Sequence, residues 1–141
     1  MKKEIIETGV MFRGFTIVNH FFKTLPELKN FNSDLRSSFL SAINGFIQSS
    51  YKNCFLEYLE MKNYLFIFKV EEIKSSDFPE NEPLTFYLLV EKFKNPDKIL
   101  NKFNEKVMPL IQEFKQKYNQ ANFSKISQFK PFKEHLKNYF T

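Results

Sequence analysis

The sequence predicts one α/β domain of the α+β kind, and three observations carry that expectation. Two segments rich in β-branched and aromatic residues flank a two-residue connection near the N-terminus. The runs Tyr64-Leu65-Phe66-Ile67-Phe68 and Leu84-Thr85-Phe86-Tyr87-Leu88-Leu89-Val90 are apolar at consecutive positions, as strands covered on both faces are. From Asn95 onward apolar residues recur at helical spacing almost to the end of the chain. With 141 residues, 43% of them hydrophobic and 26% charged, the chain can bury one core, so residues 1–141 are read as a single domain.

Residues 5–12 (IIETGVMF) and 15–22 (FTIVNHFF) predict a hairpin over 5–22. Arg13-Gly14 is its turn, and Gly14 can take the positive φ that a tight connection demands. A loop containing Pro26, Asn30 and Asn32 follows. A helix over residues 34–51 starts from a Ser33 or Asp34 cap. Its apolar stripe is Leu35, Phe39, Ala42, Ile43 and Phe46, with Leu40, Ile47 and Tyr51 as a shoulder.

Strands are expected at 54–60 and 64–73, the first at an edge and the second at a centre, joined by Met61-Lys62-Asn63. Residues 74–83 are polar, hold two prolines and read as a mobile loop before a strand at 84–91. Asn95 caps a helix over 96–118 with Pro96 at its first position. Pro109 should kink that helix or divide it after Met108. A last helix over 125–140 has Ile126, Phe129, Phe132, Leu136 and Phe140 as its buried candidates, with Pro131 as an alternative start.

Composition excludes several function classes. No apolar run approaches the 18 or more residues of a spanning helix, and Glu7 and Thr8 interrupt any leader-like stretch after Ile5-Ile6, so the reading is cytoplasmic. Cys54 is the only cysteine and reads as a small buried residue; His20 reads as a packing residue. With only His20 and His135 beside that lone cysteine, no zinc-site spacing exists. There is no Gly-rich phosphate loop among three glycines and no nucleophile elbow, so the expectation is no enzyme and no cofactor.

Charge is uneven. Residues 92–141 carry eleven Lys against four acids, a balance of +7, while residues 1–91 carry ten basic and twelve acidic residues, a balance of −2. Lys94, Lys98, Lys102 and Lys106 recur every four residues and form a candidate basic surface. An anionic membrane or a nucleic acid is the partner class such a surface suits, and either would bind with steep salt dependence. Nucleic acid is the weaker expectation, because the aromatics here fall on the apolar stripe and the joint excess of Phe and Lys suits AT-rich codons. Peripheral membrane contact stays open.

The far side of the helix at 34–51 is a sharper clue. Ser37, Ser38, Ser41, Asn44, Gly45 and Gln48 are small or short polar residues without a charge, in a chain that places Lys on its other helices. Such a surface, with the apolar shoulder Leu40, Ile47 and Tyr51 beside it, lets a second protein approach closely; the alternative is cover by the chain's own loops, for instance Leu25 to Phe31.

The order β-β-α-β-β-β-α-α is similar to the longin domain of the roadblock/longin superfamily. The resemblance covers nearly the whole chain and is carried by the hairpin at 9–18 (GVMFRGFTIV), the helix at 34–47 (DLRSSFLSAINGFI) and the stretch at 59–68 (LEMKNYLFIF). These look like small archaeal longin-type proteins. Roadblock proteins compete, but usually begin with a helix for which residues 1–8 leave little room. The resemblance implies an α/β (α+β) sandwich with a five-stranded antiparallel sheet, order 2-1-5-4-3, and helices on both faces. It also implies a homo- or heterodimer with another protein of this type, paired through the first helix and third strand. Here that surface would be Ser37, Leu40, Ser41, Asn44 and Gln48 with the edge residues Phe55, Glu57 and Tyr58. Family members bind small GTPases or SNAREs, or serve in tethering and coat complexes for vesicle trafficking, without catalytic residues of their own.

Overall fold

A computed structural model describes residues 5–23, 40–42, 45, 57–92 and 95–140. Five strands, β1 (Ile5–Phe12), β2 (Phe15–Phe21), β3 (Tyr58–Glu60), β4 (Tyr64–Ile73) and β5 (Glu82–Glu91), form one antiparallel sheet in the order β2-β1-β5-β4-β3. Helix α1 (Pro96–Tyr118), a 3-10 helix (Ile126–Phe129) and α2 (Lys130–Tyr139) follow.

The centre of the sheet goes to the strands whose side chains are apolar on both faces. In β5 every residue from Leu84 to Val90 is buried. Alternate residues feed two cores. Ile5, Val10, Phe12, Leu65, Ile67, Phe86, Leu88 and Val90 pack with α1, the 3-10 helix and α2. Ile6, Met11, Phe66, Phe68, Tyr87 and Leu89 pack with Leu40 on the other face. Leu40, Ser41, Ala42 and Gly45 are helical, so helical backbone covers both faces of the sheet.

The hairpin turn has positive φ at both Arg13 (52°) and Gly14 (81°), the combination of a turn whose twist matches two paired strands. A register shift between Ile5 and Glu7 places Glu7 opposite Leu89, although Ile5 lies opposite Val90. Directly paired residues share a face, so this bulge turns Glu7 onto the Leu40 side.

Several expectations need correction. Ala42 of the expected stripe is exposed, whereas Leu40 of the expected shoulder is only 4% exposed and faces the sheet. The sheet face there is a broad surface of Phe66, Phe68, Met11 and Tyr87, on which a leucine buries more area than a methyl group. The positions of the helix expected at 34–51 other than 40–42 and 45, and residues 54–56 of the strand expected at 54–60, lie outside the described residues.

Strand β5 starts at Glu82, and Pro83 sits opposite Glu72 near its beginning, where a missing amide is tolerated. Residues 74–81 do not behave as a free loop. The Ser76 amide donates to the Ala121 carbonyl at 2.9 Å, the Gln120 amide donates to the Lys74 carbonyl, and Ser75 is buried. Helix α1 runs undivided through Pro109, which is exposed together with Glu105, so the carbonyl left without an amide partner is on the solvent side. The last segment divides into the 3-10 helix and α2, with Pro131 in the first turn of α2. Ile126 is 54% exposed rather than buried, since the 3-10 turn aims Phe129 into the core in its place.

Candidate interaction surfaces

A buried polar group lies at the middle of the sheet. Glu7 is 0% exposed; the Tyr87 hydroxyl and, at 3.1 Å, the Asn19 amide both donate to its Oε2. Gly9 makes this contact possible, because a Cβ there would stand 2.7 Å from the Tyr87 ring and hydroxyl and from the Val18 carbonyl oxygen. The Thr8 hydroxyl donates to the Tyr87 carbonyl at 3.1 Å on the opposite face. Glu7, Thr8 and Tyr87 are buried, and these hydrogen bonds tie β5 to β1 and, through Asn19, β1 to β2.

A second cluster surrounds the hairpin turn. Arg13 donates to both oxygens of Glu82, from Nε at 2.8 Å and Nη2 at 2.6 Å, and to both oxygens of Asp77 at 3.2 Å and 2.9 Å. Its Nη2 also donates to the Ser75 hydroxyl at 3.0 Å, and its guanidinium lies 4.9 Å from the centre of the Phe12 ring. Forked pairing of this kind is geometrically specific. Arg13 lowers the Asp77 pKa to about 2, with help from the Ser75 hydroxyl, and lowers that of Glu82. The two acids raise the Arg13 pKa in return. The cluster ties the turn to residues 75–82.

Beside it opens a cleft of about 290 Å³, bounded by Arg13 and Gly14, by Glu82 and Pro83 at the start of β5, and by Ser41 and Gly45. Both helical residues are exposed and carry little side chain. The cleft therefore brings one of the expected interface positions, Ser41, next to the hairpin turn.

The β3 end of the sheet supplies the rest of the expected pairing surface. Glu57 and Tyr58 are exposed, Tyr58 at 37%, and β3 is the last strand among the described residues. Leu59 turns inward against the Leu40 core. Leu40 leaves the interface set, because it is buried against its own sheet and has no surface to offer a partner. Ser37, Asn44, Gln48 and Phe55 lie outside the described residues.

The expected basic surface divides. Lys98, Lys102 and Lys106 are exposed along α1, whereas Lys94 lies outside the described residues. By helical spacing Glu105 and Glu113 share that side of α1 and dilute it. A second set of lysines, not singled out by spacing in the sequence, lies on α2. Lys133 and Lys137 act on His20 of β2, whose pKa is lowered chiefly by burial and then by these two charges, with Glu134 opposing. His20 packs edge-on against Phe22 at 4.6 Å between ring centres, as a half-buried packing residue.

Sequence reading missed the Glu7 network and the Arg13 cluster, which join residues up to 80 positions apart. The one available signal was a carboxylate, Glu7, inside an otherwise apolar strand. Among the described residues no three His, Cys, Asp or Glu side chains gather as a metal site would need, and no helix is long and apolar enough to cross a membrane. No protein-family model matches this chain, and no curated protein is similar to it in sequence.

Proposed function

We propose that the protein is a non-enzymatic interaction module of the roadblock/longin kind, which pairs with a second copy of itself and engages a small GTPase or a membrane-trafficking complex. The sheet order β2-β1-β5-β4-β3, with helical backbone on both faces, is the single observation that carries this reading, because it is the arrangement that the resemblance implies. Pairing is supported by the surface around Ser41 and Gly45, which is exposed and uncharged at those positions, and by β3, which among the described residues is the last strand of the sheet and exposes Tyr58. An unpaired strand edge invites a neighbouring strand, and a twofold arrangement closes it.

The GTPase or trafficking partner is tested by immobilising the tagged protein and capturing partners from lysate of its source cell. The reading expects a small GTPase or a tethering or coat subunit whose capture Ser41→Arg or Tyr58→Lys reduces. Turnover of a small-molecule substrate by the purified chain would contradict it.

A further inference from the structure

We propose that the β2 edge of the helical layer is a docking surface for an anionic phospholipid membrane, with Phe15 and Ile126 entering the headgroup region and Lys125, Lys130, Lys133 and Lys137 holding the charge. In the sheet order this surface lies at the opposite end from β3, so it stands independently of pairing through β3.

The residues come together through the fold. Phe15 is paired with Phe12 in the hairpin, so the two share a face. The Phe12 ring lies 4.4 Å from that of Phe123, which in turn lies 5.5 Å from Phe129 of the 3-10 helix. Both the 3-10 helix and α2 pack on β2. Phe15 is 56% exposed and Ile126 54% exposed, so each stands out of the surface instead of lining a groove.

The charges lie on the same side. Lys130, Lys133 and Lys137 are exposed and spaced i, i+3, i+7, which puts them along one flank of α2 beside its buried face of Phe132 and Leu136. His20 is paired with Thr8, itself opposite Leu88 of the helical-side core, so it faces the layer in which α2 packs on β2, and the influence of Lys137 and Lys133 on His20 agrees with that flank lying beside the strand. Lys125 directly precedes Ile126, and Glu134 is the one acid on α2. Strand β2 itself (FTIVNHF) holds no acid or basic residue other than His20.

Lysines around protruding apolar side chains suit a surface that is anionic outside and apolar just beneath, which is the profile of a bilayer containing acidic lipid. Nucleic acid fits less well, because Ile126 has no ring on which a base could stack. The row Lys98, Lys102 and Lys106 lacks any exposed large apolar residue on α1 and is the natural control.

The test is flotation of the full chain with vesicles of phosphatidylcholine alone and of phosphatidylcholine mixed with phosphatidylserine. Binding is expected only to the mixed vesicles and should fall steeply with salt. The pair Lys133→Gln and Lys137→Gln should weaken it by about tenfold or more, and Ile126→Ser should weaken it at unchanged circular dichroism. The pair Lys98→Gln and Lys102→Gln should leave it within about twofold, since those residues lie outside the surface. Absence of binding to mixed vesicles at low salt would overturn the proposal, as would retention of full binding by both weakening variants. So would a single-stranded oligonucleotide bound more tightly than the vesicles.

Discussion

Tyr87, in the central strand of the sheet, reaches across Gly9 to donate its hydroxyl to the carboxylate of Glu7, eighty positions away in the chain and fully buried. A buried carboxylate is costly where donors are missing, so the pairing of β1 with β5 is supported by this contact. Tyr87→Phe should lower stability by about 1–3 kcal/mol, measured by urea unfolding. Gly9→Ala should also destabilise, and should still do so in the Tyr87→Phe background, because the new Cβ meets the Val18 carbonyl oxygen, which is backbone and cannot swing away. Unchanged stability in Gly9→Ala would contradict the close approach of Tyr87 and of the Val18 carbonyl to that position.

The Arg13 cluster makes a second prediction. Arg13→Asn keeps a residue that tolerates the positive φ of the turn while removing the guanidinium. Amides of residues 75–82 should then exchange faster with solvent, with the sheet centre unchanged. The pKa values of Asp77 and Glu82 are lowered in the folded state, so each contributes stability that is present above its unfolded value and lost as the pH falls through the folded one. For Asp77 that window runs from its ordinary 3.8 down to about 2. The denaturation midpoint should therefore drop across this range in the parent and drop less in Arg13→Asn.

His20 sets a third pH response at a higher range. Its pKa is lowered from 6.5 by burial and then by Lys137 and Lys133, against Glu134, so the folded state binds fewer protons than the unfolded one below that value. Stability contributed by neutral His20 is complete above 6.5 and is lost as the pH falls through its folded pKa. An NMR titration should find the His20 midpoint below 6.5 and moving upward in Lys137→Gln. A midpoint above 6.5 in the parent protein would contradict burial as the dominant influence on His20.

Phe114 anchors the helical layer. It is fully buried and lies 5.7 Å from Phe86 of the sheet, 5.7 Å from Phe129 and 5.0 Å from Phe132 between ring centres. Phe114→Ala should cost about 3–5 kcal/mol, read from thermal or denaturant unfolding. Ile126→Ala, by contrast, should change stability by less than about 0.5 kcal/mol, because that side chain is exposed.

Much of the sheet was legible because its signals are local. The Arg13-Gly14 turn and the two-sided apolar runs of β4 and β5 each show within ten residues of sequence, and strand order followed from resemblance. What was not legible depends on distant partners. Leu40 faces the sheet because of the broad aromatic surface that Phe66, Phe68 and Tyr87 assemble, which no periodicity within residues 34–51 can reveal. Ile126 emerges because a 3-10 turn replaces the first turn of the expected helix and changes which residues face inward. Pro109 is accommodated because it falls on the solvent side of α1. The candidate surfaces were partly legible for the same reason: Ser41 and Tyr58 announce themselves as uncharged positions at an exposed helix and edge, whereas the α2 lysines gain meaning only from the β2 strand beneath them.

Light scattering on the purified chain during gel filtration tests the pairing surface most directly. A mass twice the 17.0 kDa of one chain is expected, falling to that of a single chain in Ser41→Arg and in Tyr58→Lys with unchanged circular dichroism. A protein that stays at 17.0 kDa up to the highest soluble concentration, or a dimer that both substitutions leave intact, would contradict it.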